Sequence, residues 1–173
     1  MENMTRDLIF DLYKAAEVPF ELYSDRSVLG SWTHEDQVGC FWTGSKYMLP
    51  EDIDCMTLLH ELAHYFTSDG LPSFHEPNFG LDRMNPAHIT LEVASCYISF
   101  AFAYICGVAK EDIEAEMDQT CFDVERFEAH VKTGYDFYKS LPKARDIFDE
   151  ISKRDPQISN RLSILWHGEG VLL

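Results

Sequence analysis

Thr57-Leu58-Leu59-His60-Glu61-Leu62-Ala63-His64-Tyr65-Phe66 decides how this chain is read. It holds His-Glu-x-x-His inside an apolar run. On a helix, positions i and i+4 share one face a turn apart. His60 and His64 therefore aim both imidazoles at one spot, a spacing that suits one divalent metal ion. Glu61 stands a little round the helix, where it reaches a metal-bound water or a substrate rather than the ion itself. With seven His among 173 residues, such a match arises by chance about 0.02 times in a chain of this composition, so the motif counts as signal. Leu58, Leu59, Leu62, Ala63 and Phe66 supply the buried stripe of this helix without the two His. A core pair of imidazoles holding no ion would have to find other hydrogen-bond partners.

Two imidazoles rarely complete a metal site. The metzincin arrangement needs Gly three residues and His or Asp six residues after the second His, and those positions hold Thr67 and Gly70. A carboxylate from a later helix is the other common solution. Glu92 meets that need, in the second turn of an otherwise apolar helix bearing Ile89, Leu91, Val93, Ala94, Tyr97 and Ile98. A carboxylate so placed is seldom buried without a partner, although the start of a helix also favours an acid in solvent. His75, Asp82 and His88 are the substitutes, and His75 and Asp82 are also candidates for the rim of the site or for contact with substrate. A closed structural site would use four protein ligands, often Cys. Only Cys55, five residues before His60, lies near the motif in sequence.

Around the motif the chain reads as α+β. Thr5 to Glu17 has one apolar stripe (Leu8, Ile9, Leu12, Tyr13, Ala16) and stops before Pro19. Phe20–Tyr23, Val38–Trp42 and Lys46–Leu49 are short, rich in aromatic and β-branched residues and separated by turn-forming residues, which predicts a small antiparallel sheet. The motif helix is expected from Asp52 to Thr67. The following Leu71–Asn85 segment, rich in Pro, Gly, Asn and His, is long enough to act as a rim or lid over the metal. Asn85-Pro86 then opens the glutamate-bearing helix, which is apolar on most sides to Gly107 and so central. Helices over Lys110–Met117, Asp123–Lys139 and Pro142–Lys153 form a C-terminal layer, with one more amphipathic turn or two expected over Pro156–His167. No repeat or linker divides residues 1–173, so a single domain is expected.

The formal net charge of −16 argues against a nucleic-acid backbone or an anionic membrane as partner. It suits a basic partner surface, or simply keeps the protein in solution. Cys40, Cys55, Cys96, Cys106 and Cys121 are odd in number and lack CxxC spacing, which reads as thiols in a reducing compartment. The first residues carry no basic-then-apolar leader, and the longest apolar run, Ile98–Val108, is too short for a bilayer. A cytoplasmic location is the expectation.

Two His and one carboxylate serve Zn(II) in peptidases and Fe(II) in oxygenases. With zinc, Glu61 takes a proton from the attacking water; with iron, it assists by hydrogen bonding or proton delivery. The order of features resembles the bacterial elongation factor P hydroxylases. It does so in His60-Glu61-Leu62-Ala63-His64-Tyr65, then Asn78-Phe79-Gly80, then Leu91-Glu92-Val93 and the apolar run to Tyr104-Ile105-Cys106-Gly107. Phe127–Tyr138 and Leu141-Pro142-Lys143-Ala144-Arg145 are similar to that family's C-terminal part. Thr67 to Asn78 holds no Lys or Arg where that family has basic residues, and Leu81-Asp82-Arg83 replaces its aromatics. The resemblance implies an Fe(II) site made by His60, His64 and Glu92, with Glu61 as the adjacent acid. It further implies O2-dependent hydroxylation of a lysine side chain on elongation factor P. The chain also resembles the ImmA/IrrE-type intracellular zinc metallopeptidases, through His-Glu-Leu-x-His and a looser echo in Glu92-Val93-Ala94-Ser95-Cys96-Tyr97. These define two enzyme readings, a hydroxylase and a zinc peptidase acting on a protein or peptide. The third is a regulatory protein whose metal is structural or lost.

Overall fold

A computed structural model of the chain describes residues 2–24, 40–43, 45–67 and 86–167. The elements in order are α1 (Glu2–Ala15), β1 (Phe20–Tyr23), β2 (Phe41–Trp42), β3 (Tyr47–Pro50), α2 (Cys55–Thr67) and α3 (Pro86–Cys106). A C-terminal set follows: α4 (Lys110–Gln119), a 3-10 turn at Val124–Arg126, α5 (Phe127–Lys139), α6 (Pro142–Ser152) and α7 (Pro156–His167). The class is α+β, with helices predominating.

The sheet departs from the antiparallel expectation. β3 is its centre. β2 pairs with it antiparallel across the Thr43–Lys46 turn, but β1 lies on the other side and runs parallel, Phe20 opposite Tyr47 and Tyr23 opposite Pro50. Only a tight turn forces neighbours to be antiparallel. The β2–β3 turn is tight, with the Thr43 N–H donating to the Lys46 carbonyl at 2.9 Å. The connection from β1 to β2 is long enough to carry the chain back across the sheet before it re-enters. Pro50 is the last residue of β3, at a strand terminus where a missing N–H is tolerated.

α1 closes as its pattern implies. Glu17 takes a left-handed conformation (φ 56°) and the Val18 N–H reaches back to the Tyr13 carbonyl at 2.9 Å, a helix-ending loop followed by Pro19. Its stripe is buried through Ile9, Leu12 and Tyr13. The Tyr13 hydroxyl donates to the Leu58 carbonyl at 2.7 Å and so ties α1 to α2. From the sheet, the Tyr47 hydroxyl donates to the Glu61 carbonyl at 3.3 Å. α2 begins at Cys55, three residues later than the composition suggests, because Asp54 caps it. The Asp54 carboxylate accepts from the Thr57 N–H at 2.8 Å and from the Thr57 hydroxyl at 2.6 Å.

α3 is the central helix its all-round apolarity predicts. Phe100, Ala101, Phe102, Ala103 and Ile105 have no exposed surface. Phe66 of α2 meets Phe102 edge-on at 5.9 Å, and Phe148 of α6 lies 4.9 Å from the same ring. Against α5 the approach is closer still. A Cβ on Gly134 would lie 1.8 Å from the Tyr97 carbonyl oxygen and 2.6 Å from its carbon, so the two helices meet backbone to backbone. Among the described residues no helix is long and apolar enough to cross a membrane, and none of the five cysteines is in a disulfide.

That contact yields a sharp test. Gly134→Ala has to push α5 off α3, an overpacking cost of about 3 kcal/mol, which lowers the thermal midpoint by about 10 °C in a chain of this length. Calorimetry of the variant checks it; an unchanged midpoint would mean that α3 and α5 are not in backbone contact.

Candidate metal centre

The centre is made where α2 and α3 cross. One helical turn brings His60 and His64 to the same face of α2, with their Nε2 atoms 2.9 Å apart and their rings edge-on at 4.6 Å. Glu92 of α3 reaches across to both. One carboxylate oxygen lies 3.0 Å from His60 Nε2 and the other 3.1 Å from His64 Nε2. The three side chains that the spacing argument selects therefore meet at a single point. The imidazoles are largely covered, 16 % and 7 % exposed, whereas Glu92 is 55 % exposed. Solvent reaches the centre from the Glu92 side.

Donor separations test whether these residues fit an ion. Ligands about 2.1 Å from a shared ion stand about 3.0 Å apart at right angles and about 3.4 Å apart in a tetrahedron. The observed 2.9–3.1 Å matches the first and lies a few tenths of an ångström from the second, so the donor set fits one small divalent cation. His60, Glu92 and Cys96 form an overlapping group that can hold a metal ion, with ligand atoms within 4.8 Å of one another.

The far sides of the two rings are held by consecutive residues of α3. Ser95 Oγ lies 3.1 Å from His64 Nδ1, and Cys96 Sγ lies 4.0 Å from His60 Nδ1. Ser95 also contacts Thr67 Oγ1 at 3.2 Å. With the Nδ1 atoms engaged, Nε2 is the nitrogen each ring offers towards Glu92, the arrangement that orients imidazole ligands. Sequence reasoning missed Ser95, Cys96 and Thr67. The signal was there in spacing: Ser95 and Cys96 follow Glu92 by three and four residues, and Thr67 follows His64 by three, each on the face already in use.

Glu61 is 8 % exposed. Its charge acts on His60 and on the buried phenols of Tyr47 and Tyr13. From α4, the half-buried Glu116 lies within electrostatic reach of His60 and Asp54, and burial raises its carboxyl pKa. His75, Asp82 and the Leu71–Asn85 segment lie outside the described residues, as does the side chain of His88. Scans of the chain against family models, curated proteins and solved structures find no match.

Burial alone would make His60 give up its proton more readily. Hydrogen bonds to Cys96 and Glu92, with the charges of Glu61 and Glu92, outweigh it and hold the imidazole well above its ordinary 6.5. Burial likewise pushes Glu92 up, but its bonds to His60 and His64 overcome this and hold the carboxyl far below its ordinary 4.5. Without an ion, a proton on His60 thus takes the cation's place. The Glu92 contribution to stability is present above 4.5 and lost as pH falls from there. The His60 contribution is present below 6.5 and lost as pH rises through its raised value. In chelator, the thermal midpoint should therefore fall as the solution is made alkaline. With saturating zinc it should be raised most at alkaline pH, because an ion must displace that proton. A midpoint in chelator that climbs steadily into the alkaline range would contradict this pairing.

Proposed function

We propose that this chain is a metal-dependent enzyme with a zincin-like core, in which His60, His64 and Glu92 hold one divalent ion and Glu61 handles protons beside it. The observation that carries the reading is the convergence of both imidazoles and the Glu92 carboxylate within 2.9–3.1 Å, with Glu92 open to solvent. A structural ion has no need of an exposed ligand edge; a catalytic one needs an open position. The regulatory reading, in which the metal is structural or absent, therefore ranks last.

The leading chemistry is that of a non-haem iron hydroxylase acting on a protein lysine side chain, as in the elongation factor P hydroxylases. Two His and one carboxylate with open positions are the ligands such chemistry uses. The acidic surroundings, Glu61, Glu92 and Glu116, complement a basic side chain in a protein of net charge −16. The position of Glu61 favours a second reading, an intracellular zinc metallopeptidase, because a covered carboxylate next to the first His is the general base that hydrolysis requires.

A bound ion supplies oxygen activation if it is iron and Lewis acidity if it is zinc. The chain's own residues do the rest in either case. Glu92 and the two imidazoles fix the position of the reaction. Glu61, shielded from bulk water and held through its backbone by Tyr47, accepts or returns a proton next to the reacting group. The half-exposed Glu92 edge admits substrate.

Elemental analysis of protein purified without added metal separates the two chemistries. Iron with O2 uptake abolished in His60→Ala supports the hydroxylase; zinc at one equivalent with chelator-sensitive proteolysis supports the peptidase and sinks the hydroxylase. In both, Glu61→Gln should keep its metal while turnover falls about 100- to 10,000-fold, and His64→Ala or Glu92→Ala should lose the metal. An emptied site in Glu61→Gln would show that the roles are wrongly assigned.

A further inference from the structure

We propose that a large, soft cation such as cadmium binds this crossing in a second way, through Cys96 together with His60 and Glu92, and leaves His64 outside its shell. The second mode rests on the crossing being a metal centre, and it adds to that centre a ligand set containing sulfur.

Each helix contributes a pair of donors one turn apart. His60 and His64 share a face of α2, and Glu92 and Cys96, four residues apart, share a face of α3. The four donors make two triangles that have His60 and Glu92 in common. The triangle completed by His64 holds only nitrogen and oxygen, and its separations are 2.9, 3.0 and 3.1 Å. The triangle completed by Cys96 is looser. Its ligand atoms lie within 4.8 Å of one another, with Cys96 Sγ 4.0 Å from His60 Nδ1. The Cys96 thiol is buried and in no disulfide.

Zinc is at home with imidazole, carboxylate and thiolate alike, so donor type does not choose between the triangles. Size does. A nitrogen about 2.1 Å and a sulfur about 2.3 Å from one tetrahedral ion stand about 3.6 Å apart, and the observed 4.0 Å is wider. A soft ion with bonds about 0.2 Å longer sets the same pair about 3.9 Å apart and prefers thiolate as well. The tight triangle therefore suits a small ion and the sulfur triangle a larger, softer one. Glu92, 55 % exposed, has room to turn between them. Both sets draw on His60 and Glu92, so the two kinds of ion compete. Binding through Cys96 breaks its S–H bond, forms a sulfur–cation bond and releases the proton to solvent; nothing is oxidised or reduced. With His64 left out of the shell, the ligand set proposed for catalysis is incomplete, and the sulfur-bound form is an inhibited one.

The full chain is titrated with cadmium and, separately, with zinc. The ultraviolet charge-transfer band of a cadmium–thiolate bond reports the sulfur ligand, and cadmium-113 resonance of the wild type reports it without any substitution. Wild type should develop the band up to one equivalent of cadmium, show one sulfur ligand by resonance, and lose the band competitively as zinc is added. Cys96→Ser should lose the band and bind cadmium more than about 100-fold more weakly, because losing a ligand costs more than losing a ligand's hydrogen-bond partner. Its zinc affinity should stay within about 10-fold of wild type, which also shows that the variant is folded. His64→Ala should do the reverse, losing zinc while keeping the cadmium band. A cadmium resonance without sulfur in wild type, a band that survives Cys96→Ser, or a band lost in His64→Ala overturns the proposal. Wild type that binds zinc but shows no cadmium–thiolate bond keeps the metal centre and sinks the second mode. Wild type that shows the Cys96-dependent band but binds no zinc supports the sulfur set and refutes the centre built on His64.

Discussion

One carboxylate spanning two imidazoles is the constraint on which the rest of the structure turns. Glu92 reaches His60 with one oxygen and His64 with the other, and it can do so only if α2 and α3 cross at the right height and rotation. Three like-polarity lone-pair donors brought this close repel one another unless a positive charge lies among them. In the ion-free protein, protons supply that charge, which is why His60 is held charged and Glu92 ionised. A divalent ion supplies it more strongly, so the same geometry serves both occupants and makes them competitors.

The scaffold secures that crossing from three sides. Tyr13 ties α1 to the Leu58 carbonyl in the turn before His60, and Tyr47 ties the central strand to the Glu61 carbonyl. Both phenols are buried, so each bond is worth more to keep than to leave unmade. On the far side, Gly134 lets α5 press directly on the α3 backbone at Tyr97, five residues beyond Glu92. The layer between is built from Phe66, Phe102 and Phe148, with Tyr138 packed on the last two. Polar groups gather at the crossing itself, where Ser95 and Cys96 meet the rings from behind and Thr67 meets Ser95.

Much of this was legible in the residues. His60 and His64 follow from helical spacing, and Glu92 meets both of them although its carboxylate is 55 % exposed rather than buried as its apolar surroundings implied. Most helices are legible for the same reason: stripes such as Ile9, Leu12 and Tyr13 mark faces, Pro19 marks a stop, and Pro86 and Pro142 mark starts through local chemistry. The parallel partnership of β1 and β3 was not legible. Strand direction depends on where a long connection travels, and short apolar runs carry no record of it. Ser95 and Cys96 were also passed over, because small polar residues in an apolar helix look like filler until the opposing ring is known. Asp54 illustrates the middle case: its capping chemistry was readable, but the acidic cluster of Glu51, Asp52 and Asp54 blurred which residue starts α2.

The claim that two imidazole Nε2 atoms and the Glu92 carboxylate hold one ion is tested most directly by X-ray absorption fine structure of the zinc-loaded protein. The account predicts a shell of nitrogen and oxygen only, with the outer scattering of two imidazoles and a carboxylate. A sulfur scatterer at about 2.3 Å would place Cys96 among the ligands in the overlapping His60, Glu92 and Cys96 group. That result, or the signature of a single imidazole, would contradict it.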